Sequence, residues 1–444
     1  MIAEVLTIGD ELLRGEIVDS NKSFLSDRLL GLDIETHYHS SVRDVPAHMT
    51  DAFHRAAERA DIVLVSGGLG PTRDDLTSQV LGESFGRKLV RDEAALATIR
   101  AFFESVGREM AENNATQADF PEGAEVLPNP VGTAPGFLLR VDKPGGGECW
   151  FFCMPGVPRE LYQMMDEQVM PRVSGRLAEG GGELKVVRAT LLRTFGIGES
   201  NLDNELSDIA ASGDVSLGFR TSFPENLLRP LARAATAPEA EAKLAEVCAE
   251  IRGRLGPIVY GEGEGANLPS VVGQLLADAG KTVAVAESCT GGLIGQLITD
   301  VPGSSGYFLG GIVAYANEIK QEVLGVPAGV LEEHGAVSEP TARAMAEGVR
   351  QRFGADYGIS TTGISGPGGG TDEKPVGLVH LALAGPGGTH AEDYVFPLDR
   401  SRHRMLTAYT ALDWIRRSLL GVEIAGPTLL RRMGDGKAPG GARR

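Results

Sequence analysis

Apolar and polar positions along the chain fall into short blocks of two kinds. "IAEVLTIG", from Ile2, alternates apolar and polar residues as a half-buried strand does, and "NKSFLSDRLLGL", from Asn21, spaces its apolar residues as a helix does. The strand "IETHYHSSV", a helix from Pro46 to Ala60 and the buried-type strand "DIVLVSGG" continue the alternation. Strand and helix in turn predict a parallel α/β sheet. Turn residues in "LPNPVGTAPG", the strand "CWFFCMPG" and the helix "VPRELYQMMDEQVM", with Pro158 near its first turn, complete a domain over residues 1–172.

The glycine run "AEGGGE" reads as a connector. After it, "LKVVRATLLRTFG", "SNLDNELSDI", "DVSLGFR", "LLRPLARAAT" and "EAEAKLAEVCAEIRGRL" alternate strand and helix as a small α+β module, residues 173–262. A second α/β domain, residues 263–424, opens with the helix "LPSVVGQLLADAG" and the strand "KTVAVAES". It runs on through "FLGGIVAYA", "NEIKQEVLG", "SEPTARAMAEGVRQRFG", "ADYGISTTG" and "PVGLVHLALA" to a closing helix "SRHRMLTAYTALDWIRRSLL". Residues 425–444 read as a disordered basic tail.

Composition narrows the function classes. At 444 residues the chain suits about three domains at roughly 150 residues each. A net charge of −18 disfavours nucleic acid as a partner, because most of the surface repels phosphate. Cys149, Cys153, Cys248 and Cys289 lack zinc-site spacing and read as reduced thiols. No apolar run is long enough for a membrane span, and the amino terminus lacks a signal-peptide pattern, so a cytoplasmic protein is expected.

Two constellations carry chemistry. In "SGGLGPTRDD" a strand runs into Gly67, Gly68 and Gly70, whose turn can face backbone amides to an anion, and a helix is expected near Asp74. Asp74 and Asp75 beside a pyrophosphate suit a hard divalent cation; alternatively Asp74 caps the helix and the glycines only turn the chain. "GDELLRGEIVDSN" and Asp44 in "RDVP" follow other strands, and strand-end loops on one sheet edge converge.

The second constellation is "AESCTGG". Ser288 ends a strand, and the turn from Cys289 to Gly292 offers amides for an oxyanion. The string is not the esterase motif, since Ala286 stands where its first glycine would be, so a serine nucleophile needs another base. Lys320 is the candidate: with Asn317 as N-cap it falls in a first helical turn, where the helix dipole disfavours an ammonium. A solvated surface lysine is the other reading. Cys289 is a rival nucleophile, although Glu287 beside it does not favour a thiolate. Thr361, Thr362, Gly363, Ser365 and Gly366 in "STTGISGPGG" suit a phosphate or ribose, or simply make a hairpin connection. Arg402 is an anion clamp or a surface arginine.

Taken in order, "GDELLRGEIVDSN", "SGGLGPTRDD", "AESCTGG", "VAYANEIK" and "STTGISGPGG" closely resemble the bacterial CinA (competence/damage-inducible) family, over Met1 to about Val422. The resemblance implies a molybdopterin-binding-like three-layer α/β domain, a KH-like α+β domain and an α/β deamidase domain. It implies hydrolysis of ADP-ribose to AMP and ribose 5-phosphate in the first, dependent on a divalent metal (Mg²⁺, Mn²⁺ or Co²⁺). In the third it implies cofactor-free hydrolysis of nicotinamide mononucleotide to nicotinic acid mononucleotide and ammonia. Ser288 would be nucleophile and Lys320 base, supported by Tyr315 and Arg402. Cys289, Thr290, Gly291, Gly292, Asn317 and the residues from Thr361 to Gly366 named above would bind that substrate. Gly9, Asp10, Glu11, Asn21, Gly67, Gly68, Gly70, Thr72, Pro155 and Gly156 would bind ADP-ribose, and Asp44, Asp74 and Asp75 the metal. The resemblance also suggests a homodimer. Molybdopterin binding or adenylylation is the alternative for the first domain, and an interaction protein in DNA uptake the non-enzymatic one, although "FGIGES" is a poor nucleic-acid clamp.

Overall fold

The computed structural model describes residues 1–179, 185–210 and 213–427. The connector glycines Gly180 to Gly182 and most of the expected tail lie outside them. The chain divides into two compact units, Met1–Arg188 with Arg233–Ala240, and Ala189–Ala232 with the chain from Glu241 onward. Among the described residues no helix is long and apolar enough to cross a membrane.

The first unit is built on strands β1 (Ala3–Ile8), β2 (Thr36–Val42), β3 (Ile62–Ser66), β4 (Leu89–Arg91), β5 (Asp119–Pro121), β6 (Glu125–Leu127), β7 (Gly136–Asp142) and β8 (Glu148–Met154). Six of them form one sheet in the order β2-β1-β3-β8-β7-β6, while β4 and β5 make a separate ribbon. β1, β2, β3 and β8 run parallel, as the alternation predicts. β7 and β6 add an antiparallel edge that the turn-rich stretch before Gly136 conceals. Alternation in the central strands feeds two cores. Leu6, Val63, Val65 and Phe151 face Met49, Phe53 and Ala56 of the helix Pro46–Arg59, whereas Val5, Ile62, Leu64 and Phe152 face Leu25, Leu29 and Leu161. Two apolar faces covered by helices make three layers.

In the second unit, after β9 (Val186–Ala189), the small module consists of β10 (Leu192–Phe195), β11 (Val215–Ser222), β12 (Glu225–Ala234) and β13 (Val259–Glu262), ordered β11-β12-β10-β13. Helices Glu199–Ala210 and Ala237–Leu255 belong to it. The last domain holds β14 (Val283–Glu287), β15 (Phe308–Val313), β16 (Tyr357–Gly363), β17 (Leu378–Gly385) and β18 (Gly388–Val395), in the order β15-β14-β16-β17-β18. β15, β14 and β16 are parallel; β17 and β18 form a hairpin, and β18 is a strand the apolar pattern does not announce. Val283 and Val285 share a core with Val272 and Leu276 of the helix Leu268–Asp278 and with Leu412 and Trp414 of Arg400–Leu420. Ala284 and Ala286, on the other face, pack with Met345 and Val349 of Glu339–Phe353.

One buried acid in the small module holds its proton unusually tightly. Burial pushes Glu225 up to about 7, against the opposing charge of Arg193, whose Nη1 lies 3.5 Å from Oε2. Its Oε1 is buried with no partner among the described residues. The folded chain keeps this proton between pH 4.5 and about 7 where the unfolded chain has released it, so the stability contribution is full below 4.5 and lost as pH rises through 7. Glu225→Gln should therefore gain stability over wild type at pH 8.5 relative to pH 4.5, by at most ~3 kcal/mol. Thermal unfolding at the two pH values checks this; equal differences at both would refute it.

Candidate active site

The register of β14 sets the site. Glu287 pairs with Thr361 of β16 and Val313 of β15, so Ser288 emerges between the ends of both neighbours. Its amide donates to Thr361 O at 2.9 Å. The chain then turns sharply through Gly291 and Gly292, at φ +60° and +93°, a backbone region that favours glycine, into the helix Leu293–Thr299.

Lys320 lies in the short helix Asn317–Glu322, preceded by Ala316 rather than capped by Asn317. In six residues the first and last turns overlap, so the helix dipole does not set the charge of Lys320. Burial acts instead: the side chain is 1% exposed, and desolvation holds the amine below its ordinary pKa, only partly countered by the nearby Cys289 and Glu318. Lys320 Nζ donates to Ala314 O at 2.8 Å and Tyr315 O at 3.2 Å, and lies 3.4 Å from Ser288 Oγ. In its neutral form the amine could give its two hydrogens to these carbonyls and present its lone pair to the serine hydroxyl. Burial pushes the Cys289 thiol up to about 12, so the sulfur is a poor nucleophile at neutral pH.

Other residues read from the sequence take different places. Tyr315 supplies its carbonyl while its side chain stays 64% exposed. Thr361 Oγ1 meets Thr290 Oγ1 at 2.8 Å, whereas Thr362 Oγ1 donates to Ala336 O at 2.6 Å. Any side chain at Gly363 would strike Leu378 O. Ser365 Oγ is buried without a partner among the described residues, and Gly366 O accepts from Arg400 Nη1 at 3.0 Å. Arg402 is not brought to the serine turn by its contacts: it is exposed, pairs with Asp399 at 3.7 Å and lies over the Phe223 ring. Two residues on, Arg404 donates through Nε and Nη2 to Thr290 O at 3.0 and 2.7 Å. Arg400 and Arg404 are one helical turn apart, and that spacing on the closing helix is the signal that could have found them.

The amides expected to hold an oxyanion are fewer than the turn suggests. Gly292 N donates to Glu287 Oε2 at 3.0 Å and Gly291 N to Ser288 O at 3.2 Å. Neither is free for a ligand.

In the first unit the strand-end loops do converge. Buried Asn21 donates to Ser66 Oγ at 3.0 Å and Gly156 O at 2.8 Å, tying three loops together, and a Cβ on Gly156 would touch Gly67. Pro155 lies between Met154, whose carbonyl accepts from Gly67 N at 3.1 Å, and Gly156. Gly68 and Gly70 line a cleft of about 330 Å³ with Thr72, Asp75, Asn113 and Gln117. The helix expected at Asp74 begins at Thr77, so Asp74 and Asp75 belong to the turn. Thr72 Oγ1 lies 2.5 Å from both carboxylates, and Thr72 N donates to Asp75 Oδ2 at 2.9 Å. Asp44 accepts from Asp10 N at 3.0 Å, and its pKa is raised by burial and by the charges of Glu11, Asp10 and Asp74. Asp10 itself is held below the usual carboxylate range by Arg43. Gly9 lies against the Glu11 carboxylate. Among the described residues no three His, Cys, Asp or Glu side chains are arranged to hold a metal ion, so Asp44, Asp74 and Asp75 do not form a ready cage. Lys22, which no motif in the sequence singles out, lies near this edge, 2.5 Å from Ser41 Oγ and 3.5 Å from Asp19.

The lowered Lys320 pKa is also a stability statement. Between that value and 10.5 the unfolded chain binds a proton that the folded chain has released, so stability rises with pH across this window and is lost as pH falls through the folded value. A Lys320→Met chain lacks this slope. Its Tm relative to wild type should climb as pH is lowered from 10.5 toward 7, and a constant difference over a pH series of thermal melts would rule the assignment out.

Comparison with known proteins places each part. Residues 4–175 match the probable molybdopterin binding domain, 189–261 the damage-inducible protein CinA KH domain, and 265–419 the CinA C-terminal domain. A CinA-like protein of Anaeromyxobacter sp. (strain Fw109-5) is 45% identical over 419 residues, 94% of this chain and 98% of its own. A putative competence-damage inducible protein of Symbiobacterium thermophilum is 46% identical over 431 residues, 95% of this chain and 99% of its own. The solved competence/damage inducible protein CihA of Agrobacterium tumefaciens is 38% identical, covering 35% of this chain and 97% of its own, with a TM-score of 0.33. With full-length relatives at this identity and all three family domains in order, the chain belongs to the CinA family.

Proposed function

We propose that the carboxy-terminal domain hydrolyses the carboxamide of nicotinamide mononucleotide, giving nicotinic acid mononucleotide and ammonia. The observation that carries this reading is the buried Lys320 amine, 3.4 Å from Ser288 Oγ and within hydrogen-bond reach of the Ala314 and Tyr315 carbonyls. Such a distance is long for a hydrogen bond and of the kind that tightens once substrate is bound.

Ser288 Oγ attacks the amide carbon as its proton passes to Lys320 Nζ, forming a C–O bond and a tetrahedral oxyanion. Collapse breaks the C–N bond, and Lys320 returns the proton to the departing nitrogen, which leaves as ammonia. Lys320 then takes a proton from water, whose oxygen attacks the ester; the acid is released and Ser288 recovers its proton. Each step uses one side of the same pair, so neither a metal nor a second base is required by the proton balance.

Ser288→Ala and Lys320→Ala should each lower ammonia release by at least ~10³-fold in an enzyme-coupled assay, with circular dichroism unchanged, as expected where nucleophile and base act as a unit. Full activity in Ser288→Ala would remove the serine from the mechanism.

A second reading concerns the first unit: metal-dependent hydrolysis of ADP-ribose to AMP and ribose 5-phosphate. Convergence of Asn21, Ser66, Gly67 and Gly156 supports a phosphate-bearing ligand there. The charges around Asp44 favour a cation in part, but Asp75 is turned into its own loop, so no step is derived through a metal. Incubation with ADP-ribose and Mg²⁺, Mn²⁺ or Co²⁺ should release AMP and a chelator should abolish it, while ammonia release persists. Absence of AMP with all three ions would favour pterin binding instead.

A further inference from the structure

Glu287 is buried, 1% exposed, directly before the serine, and the serine–lysine chemistry leaves it without a role. A carboxylate withdrawn from water costs several kcal/mol unless its oxygens are hydrogen-bonded. Here Oε2 accepts from Gly292 N at 3.0 Å and Ile294 N at 3.1 Å, and Oε1 from Gly295 N at 2.9 Å. The carboxylate thus draws the start of the following helix back onto the strand that delivers Ser288.

This sorts the amides after the strand. Ser288 N is taken by Thr361 O, Gly291 N by Ser288 O, Gly292 N by Glu287 and Leu293 N by Thr290 O. Cys289 N and Thr290 N are left, among the described residues, with no backbone oxygen to donate to, and face only the weakly accepting Cys289 sulfur. Residue 290 is also pinned from two sides, its carbonyl by Arg404 at 2.7 and 3.0 Å and its hydroxyl by Thr361 at 2.8 Å. Two adjacent amides next to the nucleophile, with no oxygen to donate to, are the candidates for an oxyanion site.

We propose that Glu287 is a positioning residue: by holding the amides of Gly292, Ile294 and Gly295 it fixes the turn so that those of Cys289 and Thr290 receive the oxyanion, with Arg404 bracing the turn at the Thr290 carbonyl. The inference rests on the amidase reading above. Coulomb's law separates this role from a purely electrostatic one. A carboxylate near a developing oxyanion repels it, so removing the charge should leave the rate unchanged or raise it. Loss of positioning lowers it.

The test uses the full chain with nicotinamide mononucleotide and its thioamide analogue, whose sulfur accepts hydrogen bonds weakly. Glu287→Gln places an NH₂ against backbone N–H groups. Its kcat for ammonia release should fall about 10²-fold, the scale of one lost oxyanion donor, with KM changed less than about threefold. The preference of wild type for amide over thioamide should shrink about tenfold, which a merely structural defect would not cause. An unchanged or higher kcat, or a lower kcat with the preference intact, overturns the proposal. Should Glu287→Gln fail to fold, Arg404→Lys loses the paired donation to Thr290 O and should show the same signature at about tenfold in kcat; unchanged kinetics there overturn the proposal as well. A wild-type chain that releases no ammonia overturns the amidase reading and this inference with it, an outcome distinct from an active wild type with an active Glu287→Gln.

Discussion

The chemistry proposed for the carboxy-terminal domain depends on keeping one amine out of water. A lysine prefers solvent, and its burial is tolerated because two carbonyls at the end of β15 receive its hydrogens and the surrounding apolar packing excludes competitors for its lone pair. The same burial that lowers its basicity favours the neutral amine that the proposed base needs. Stability and function are set against each other at this residue, and the cores built on Val285, Met345 and Val349 carry the difference.

Strand register turns that local condition into a site. Ser288, Ala314 and Thr361 come together because β15, β14 and β16 are parallel, with Glu287 of β14 level with Val313 and Thr361. Parallel strands deliver their carboxyl ends to one edge, and loops there meet without long excursions. The first unit repeats the principle with different groups: β1, β3 and β8 end together, and Asn21 reaches across them to Ser66 and Gly156. Glycines are needed where the loops touch, since a Cβ on Gly67 would strike Ile8 O and one on Gly68 the Thr77 hydroxyl.

What can be read in advance follows from the range of the interactions. Alternation and helical spacing are local, so the central strands, the three-domain order and the serine after its strand are legible in the sequence. β7 and β18 are not, because "GFLLRVD" and "GTHAEDYV" lie beside glycine- and proline-rich turns that dominate their local pattern, although each pairs with the neighbouring strand in sequence. Lys320 stands out in the sequence through an argument about helix polarity that a six-residue helix does not support; its burial beside Ser288 is a tertiary fact. The contacts of Arg402 lie with Asp399 and Phe223, whereas the spacing of Arg400 and Arg404 places one at each of two site loops. Glu287 reads from sequence only as an unfavourable neighbour for a thiolate, because its three amide partners exist only once the turn has closed.

The two sites differ in how far they are preorganised. Around Ser288 nearly every polar group has an internal partner, and the two amides without an oxygen acceptor lie together beside the nucleophile. A reaction that creates a single oxyanion needs few donors, but it needs them in place beforehand, since reorienting dipoles during the reaction consumes the stabilisation they provide. In the first unit the carboxylates are already engaged, Asp75 with Thr72 of its own loop and Asp10 with Arg43, while burial and the nearby acids raise the pKa of Asp44. A ligand arriving there has ion pairs and hydrogen bonds to exchange before it can be held. Under the proposed amidase reading the donors around Ser288 are already in place, whereas the acidic groups of the first unit are held by hydrogen bonds and ion pairs that a ligand would have to exchange.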